Sequence, residues 1–239
     1  MFRKLFYLTA FMIVLGHLPA SLTNAATPPS VPNWTLQVVS WPLEKAYPGI
    51  EYNIRLGVIG GRYPYTFLLV DAPSGMSITS DKGEISWTPH SGLEGQSFDV
   101  SVKVVDQLSQ EVYQNFTVDV TKNGFYFVAT NGNNSTGDGS ITNPWATINY
   151  AVTQGNTSDI LYVRGGTYVG SISTSSGNIN KWIAYPGESP TIDLNQGSSI
   201  TLRNSYVLID GFELKNAPTK AFFVYDNVGH LIVRRNHMH

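Results

Sequence analysis

The segments VLIDGFELKN (207–216) and LIVRRNHMH (231–239) each contain an apolar strand, a short bend and a second strand. Earlier segments repeat this pattern, with apolar pairs at Leu161/Val163, Ile183/Tyr185, Val207/Ile209 and Leu231/Val233, at steps of 22, 24 and 24 residues. Three short strands per repeat of this length predict coils that stack as a parallel β-helix. A doubly wound α/β fold would need a helix after every strand, and the sequence predicts only one.

That single helix is predicted ahead of the first repeat, within FYFVATNGNNSTGDGSITNPWATINYAV (125–152). Asn143 is placed to cap a helix whose first residue is Pro144. One helical face then carries Trp145, Ile148, Ala151 and Val152. We therefore expect a helix over 144–153 that covers the N-terminal end of a coil domain at 124–239.

The opposite end of the predicted coil domain has no equivalent cover. Each coil of a solenoid buries its core against both neighbours, so a last coil ending at His239 leaves an apolar edge bare. This predicts a fragment of a longer protein whose C-terminal coils are missing. The alternative is that another subunit buries the edge.

Residues 35–122 are predicted to form a β-sandwich, so that the whole chain is all-β. Short alternating segments such as QSFDVSVKVVD (96–106) and EVYQNFTVDV (111–120) are separated by glycine-containing turns. Within the first of them Val100, Val102 and Val104 alternate with polar residues, as on a half-buried strand.

The N-terminus predicts export. Arg3 and Lys4 precede an apolar run over 5–15, and Thr23-Asn24-Ala25 supplies small and polar residues, which is the order of a signal peptide over 1–25. A linker follows at 26–34. The protein is then secreted, periplasmic or on the cell surface, with no stable membrane span after signal cleavage. The alternative is that the apolar run is retained as an anchor.

Charge argues against a nucleic-acid partner, because such proteins are normally basic. The chain has 15 lysines and arginines against 17 acidic residues, a net charge of −2 at pH 7. It also has no cysteine, so packing and hydrogen bonds must hold an exported fold together without disulfides.

DAPSGMSITSDKGEISWTP (71–89) followed by FDVSVKVVD (98–106) resembles the Ig-like or cadherin-like repeats of secreted bacterial proteins. That resemblance implies a spacer or a binding module. Cadherin-like relatives can bind calcium through acidic clusters, but this segment has only isolated acidic residues, such as Asp71, Asp81 and Asp106.

The second region resembles the start of right-handed parallel β-helix, pectate-lyase-like proteins, in the cap segment, RGGTY (164–168) and AYPGESPTID (184–193). The resemblance implies a polysaccharide lyase that cleaves an acidic polysaccharide by β-elimination, with Ca²⁺ or an arginine as the cation that holds the substrate carboxylate. The same fold also carries non-catalytic proteins. The alternative is therefore a surface glycan-binding or adhesion protein, and the 239-residue piece alone is expected to be inactive.

No catalytic residue can be transferred from the resemblance, but the repeat predicts one outward patch. Stacking Ile209 on Val233 would place Asp210 over Arg234, Glu213 over His237 and Lys215 over His239, with Asp193 over Glu213. Neighbouring rungs lie about 4.8 Å apart, so a column Asp193–Glu213–His237 would hold a cation or tune a proton-transfer group. The candidate patch comprises Asp193, Asp210, Glu213, Lys215, Arg234, His237 and His239.

The alternative is that these are ordinary solvent-exposed side chains, with Asp210–Arg234 and Glu213–His237 as cross-rung pairs that stabilise by about 0.2–1 kcal/mol. Outward rings would add a platform for sugars, for which the candidates are Tyr162, Trp182 and Tyr225.

Overall fold

The computed structural model describes residues 34–174, 178–195, 199–217, 220–225 and 228–239. Strands dominate these residues, beside one α-helix, Ile148–Ala151 (α1), and one 3-10 helix, Ser91–Leu93. Within these ranges no helix has the length and apolarity needed to cross a membrane. The predicted signal at 1–25 and linker residues 26–33 lie outside the described residues.

The first region, called the sandwich here, spans 37–120. Its sheets have the orders β2-β9-β8-β5, β3-β7-β6 and β1-β4. The strands are β1 Gln37–Val38, β2 Lys45–Ala46, β3 Tyr52–Arg55, β4 Val58–Ile59, β5 Thr66–Asp71, β6 Ser77–Ile78, β7 Glu84–Trp87, β8 Ser97–Val105 and β9 Glu111–Val120. Val100, Val102 and Val104 on β8 are buried while the residues between them are partly exposed, which confirms the predicted half-buried strand.

The second region, called the coils here, spans 125–238, and α1 lies between its first two strands. The strands are β10 Phe125–Val128, β11 Ile160–Val163, β12 Gly166–Val169, β13 Ile172–Ser173, β14 Lys181–Ala184, β15 Pro190–Asp193, β16 Ile200–Leu202, β17 Val207–Asp210, β18 Glu213–Lys215, β19 Phe222–Val224, β20 Leu231–Arg234 and β21 His237–Met238. They form three sheets, β10-β11-β14-β17-β20, β12-β15-β18-β21 and β13-β16-β19.

Every strand pair in these three sheets is parallel, as the repeat predicted. Successive coils therefore stack, each giving a strand to the five-stranded and four-stranded sheets. Their shared core includes Leu161, Ile192, Ile200 and Ile209. Leu231, Val233 and Met238 on the last strands are exposed, and the presence of further coils stays a prediction.

The predicted register between the first coils was wrong. Leu161 lies beside Trp182, which lies beside Ile209, which lies beside Val233. The observed steps are therefore 182 − 161 = 21, 209 − 182 = 27 and 233 − 209 = 24. Ile183, which was assigned to the core of the coils, packs instead on the opposite side of its sheet.

The helix that covers the first coil is shorter than predicted. It spans Ile148–Ala151 rather than 144–153, and its N-cap is Thr147 rather than Asn143. Trp145 is in extended backbone, since its N–H donates to Phe127 O at 3.0 Å and its carbonyl accepts from Ala129 N at 3.0 Å. Because Trp145 forms this parallel bridge with Val128 of β10, its backbone stays extended and the helix begins only at Ile148.

The sandwich covers the outer face of the five-stranded sheet. Phe125, Phe127, Tyr162, Ile183 and Leu208 on that face belong to one apolar cluster with the core of the sandwich. The Tyr47 ring of the sandwich lies edge-on to two of them, with centroid distances of 5.5 Å to Phe125 and 5.4 Å to Phe127. From β10 to β17 this sheet is thus largely buried on both sides.

Candidate functional site

The four-stranded sheet carries much of the predicted patch on its outer face. Thr167, Thr191, Glu213 and His237 are successive neighbours in one column. Val169, Asp193 and Lys215 form the next column. The predicted column Asp193–Glu213–His237 was therefore wrong in its first member, because Thr191 lies beside Glu213 and Lys215 lies beside Asp193.

Glu213 is held by its neighbours in a defined position. Its Oε2 accepts a hydrogen bond from Thr191 Oγ1 at 2.8 Å, and its Oε1 lies 3.1 Å from His239 Nε2. The hydrogen bond from Thr191, together with His239, lowers the pKa of Glu213. Glu213 and His237 are adjacent in register as predicted, but the ion pair is made with His239, whose ring centroid lies 4.2 Å from that of His237.

Asp193 is likewise engaged within the protein. Its Oδ1 accepts from Asn216 Nδ2 at 2.8 Å and from Asn195 N at 3.0 Å, and these bonds lower its pKa. Calcium requires six to eight oxygen ligands. The described residues contain no group of three or more His, Asp or Glu side chains placed to hold a metal. They do not fit a Ca²⁺ site, and calcium stays an untested prediction.

Asp210 and Arg234 do not belong to an open patch, and their predicted solvent exposure was wrong. Asp210 is 0% exposed. Its Oδ2 accepts from Arg234 Nη2 at 2.7 Å and its Oδ1 from Arg235 Nε at 2.7 Å. Arg234 Nη2 also donates to the carbonyl of Asn53 in the sandwich at 2.7 Å. The stacking of Asp210 on Arg234 is as predicted, but the pair ties the coils to the sandwich.

The outer face of the three-stranded sheet carries a cluster that sequence reasoning largely missed. Arg203 donates from Nη1 to Ser173 Oγ at 2.9 Å and from Nη2 to the Tyr225 hydroxyl at 2.8 Å. Its guanidinium carbon lies 4.5 Å from the centroid of the Tyr225 ring. Phe223 stands beside Tyr225 at a centroid distance of 5.3 Å, and the two residues are 45% and 41% exposed.

This group, named the Arg203 cluster (Arg203, Phe223 and Tyr225), combines a fixed positive charge with two accessible rings. Lys220 adds a second cation, with its Nζ 5.8 Å from the centroid of Phe223. Tyr225 is exposed as predicted. Tyr162 lies on the outer face of its sheet as predicted but is buried under the sandwich, and Trp182 lies in the core of the coils, so neither ring is open to a sugar. The available signal was Arg203 directly after the strand at 200–202, one coil before the aromatic strand at 222–224.

Comparisons with known proteins bear chiefly on the sandwich. The sequence profile of a family described as "Putative Ig domain" matches residues 19–121. The chain carries an Ig-like domain. No curated protein sequence matches the chain.

Two solved structures from Bacteroides fragilis NCTC 9343 are similar to part of the chain. One is described as a "putative alpha-galactosidase" and the other as a "putative alpha-galactosidase/melibiase", at 14% and 12% identity and a TM-score of 0.33 each. Each match covers 42% of this chain and 22% of the solved chain. Likeness at that TM-score carries no argument about fold or activity.

Proposed function

We propose that the chain is part of an exported carbohydrate-active protein that binds an acidic polysaccharide and cleaves it by β-elimination. In this proposal the coils are a right-handed parallel β-helix of the pectate-lyase-like kind. The parallel stacking in three sheets and the short helix at the first coil support it. An Ig-like domain in front of a catalytic or binding region is consistent with a modular extracellular protein.

The Arg203 cluster is the observation on which this function rests. Guanidinium groups pair with carboxylates through two parallel hydrogen bonds, and aromatic rings pack against the apolar faces of sugars. The hydrogen bonds from Arg203 to Ser173 and Tyr225 fix the guanidinium before a ligand arrives. A preorganised cation beside two exposed rings therefore suits a carboxylate-bearing sugar chain better than a neutral one.

The reaction makes definite demands on such a site. A base removes the proton from the carbon next to the uronate carboxylate, and the electron pair forms a carbon–carbon double bond. The bond from the neighbouring carbon to the glycosidic oxygen then breaks, and that oxygen takes up a proton. A cation on the carboxylate stabilises the negative charge that develops, and Arg203 supplies such a cation.

The test is incubation of the full-length protein with alginate, pectate and chondroitin, with calcium and with a chelator, while following the ultraviolet absorbance of unsaturated sugar ends. We expect the absorbance to rise with at least one polymer, and Arg203→Ala to lower the rate about tenfold or more. Arg62→Ala, on the sandwich, is the matched control and should leave the rate unchanged. The proposal is refuted if the protein cleaves none of these polymers and binds none of them.

A second candidate is non-catalytic glycan binding at the cell surface. It is favoured by the exposure of Phe223 and Tyr225, because open rings form a binding platform without any need for a base. Binding of an acidic polymer that depends on Arg203, with no rise in absorbance, would select this second function.

A further inference from the structure

A cleft of about 600 Å³ lies between the sandwich and the coils. The sandwich contributes the segment 41–45, and the coils contribute residues near the starts of β11, β14 and β17. Sites for small molecules typically measure about 300–1,000 Å³ and often lie where two structural units meet. The cleft therefore has the size and the location of a binding site, and neither the candidate patch nor the Ig-like fold accounts for it.

Two aromatic side chains form one part of the wall. Trp41 of the sandwich and Tyr206 of the coils are edge-to-face at a centroid distance of 5.8 Å. The Tyr206 ring also stacks on His230 at 4.4 Å. Tyr206 has a φ of 59°, which is uncommon for a residue other than glycine. The stacking thus holds an exposed ring at the rim of the cleft at some cost in backbone strain.

Positive charge dominates the lining. The cleft is lined by three cationic side chains, Lys45, Lys181 and Arg203, and by one carboxylate, that of Glu44. The formal charge of the lining is therefore 3 − 1 = +2. Lys45 also lies 3.8 Å from the buried Asp159. Lys181 Nζ donates to Thr157 O and to Asn180 Oδ1, which are uncharged acceptors, and burial and, secondly, the charge of Lys45 lower the pKa of Lys181. An anion in the cleft would give this ammonium a partner of opposite charge.

We infer that the cleft between the sandwich and the coils binds one carboxylate-bearing sugar residue. The cations take the carboxylate, and Trp41 and Tyr206 pack on the sugar ring. The inference rests on the proposed function and extends it, because Arg203 belongs to both the cleft and the Arg203 cluster. One end of a bound acidic polysaccharide would then enter the cleft while its chain crosses the three-stranded sheet.

The test is calorimetric titration of the full chain with galacturonate, glucuronate and galactose. We expect both uronates to bind and galactose to bind at least about tenfold more weakly, because it lacks the charge that Lys181 compensates. Lys181→Met and Trp41→Ala should each weaken uronate binding about tenfold. Arg62→Ala, at a cation of the sandwich that does not line the cleft, is the control and should leave uronate binding unchanged.

Binding of uronate oligomers distinguishes the two sources of a carboxylate-bearing sugar, which are the end of a polymer and a free sugar acid. If the cleft takes the end of a polymer, a uronate tetramer binds more tightly than the monomer, and Phe223→Ala removes that gain. If it takes a free sugar acid, the tetramer binds no better than the monomer. Thermal unfolding establishes that each variant is folded, and Lys181→Met serves if Trp41→Ala does not fold.

Two results would overturn the cleft as a binding site. They are equal binding of galactose and the uronates, and uronate binding unaffected by Lys181→Met. Cleavage of a polymer with no binding of monomeric uronate would refute the cleft and leave the proposed function standing. Uronate binding with no polymer bound or cleaved would refute the proposed function and leave the cleft standing as a uronate site.

Discussion

The outer face of the five-stranded sheet carries Phe127, Tyr162 and Ile183, whereas that of the four-stranded sheet carries Glu213, Lys215 and His237. Both sheets direct apolar residues into the same core, so only their outward residues differ. The first face is buried under the sandwich and the second is largely open to solvent. In these coils the outward residues thus determine whether a face binds the Ig-like domain or stays available to a ligand.

The largest expected difference between the two faces is in packing. Phe127→Ala should lower the free energy of unfolding by about 3–5 kcal/mol, because this ring is buried among Tyr47, Tyr162 and Tyr185. Val169→Ala, at a side chain 66% exposed on the four-stranded sheet, should change it by less than about 0.5 kcal/mol. Urea unfolding followed by fluorescence measures both, and similar costs would mean that the sandwich does not cover its face in solution.

Removal of the buried charge of Asp210 should give the next largest loss in the free energy of unfolding. Asp210→Ala leaves Arg234 and Arg235 without their carboxylate and should cost about 3 kcal/mol, near the low end for broken buried pairs because Arg235 is half exposed. Asp193→Ala removes a partly exposed carboxylate of the open face and should lower the free energy of unfolding much less than Asp210→Ala does. Equal losses in the same unfolding assay would contradict the assignment of Asp210 as the link to the sandwich.

The bend between the five-stranded and four-stranded sheets should contribute less to the free energy of unfolding. Asn236 accepts from Phe212 N at 2.8 Å and donates to Ile209 O at 2.8 Å, joining the last two coils. Asn236→Ala leaves both backbone groups unpaired and should lower the free energy of unfolding by about 1–2 kcal/mol. Asn149→Ala, which removes an exposed acceptor 3.4 Å from Ser173 N, is the control and should cost under about 0.5 kcal/mol. A loss at Asn149 as large as that at Asn236 would argue against the bridging role.

Strands with one buried side were predictable from the sequence. On β8 the buried Val100, Val102 and Val104 alternate with more exposed residues, and this period of two determines both the strand and its inward face. Parallel stacking followed from the repeated pairs of strands.

Strands buried on both sides were predicted less well. Trp182 and Ile183 are adjacent and both buried, one in the core of the coils and one against the sandwich. A continuous apolar run has no period of two, so its phase cannot be read from the sequence. The error moved Ile183 into the core and left Trp182 as an outward ring.

The candidate site depended on contacts between distant parts of the chain. Asp210 is buried beside Arg234, and Arg234 also donates to the carbonyl of Asn53, which lies 181 residues before Arg234 in the chain. Arg203 and Tyr225 meet only because their strands are neighbours across one coil. Loop lengths set which residues become neighbours, and a register shift of two residues along β18 placed Lys215 instead of Glu213 beside Asp193.

The smallest expected effect concerns the pH dependence of the open face. The hydrogen bond from Thr191 lowers the pKa of Glu213 below its ordinary value of 4.5, so the ionised form is favoured in the folded protein. The stability gained this way is complete above pH 4.5 and is lost as pH falls through the lowered pKa. Thr191→Val removes the hydroxyl with little change of shape and should raise the pKa of Glu213 in an NMR titration of its side chain. Thr167→Val, one coil away in the same column, should leave it unchanged, and an unaltered pKa in Thr191→Val would show that the face does not hold Glu213 in this arrangement.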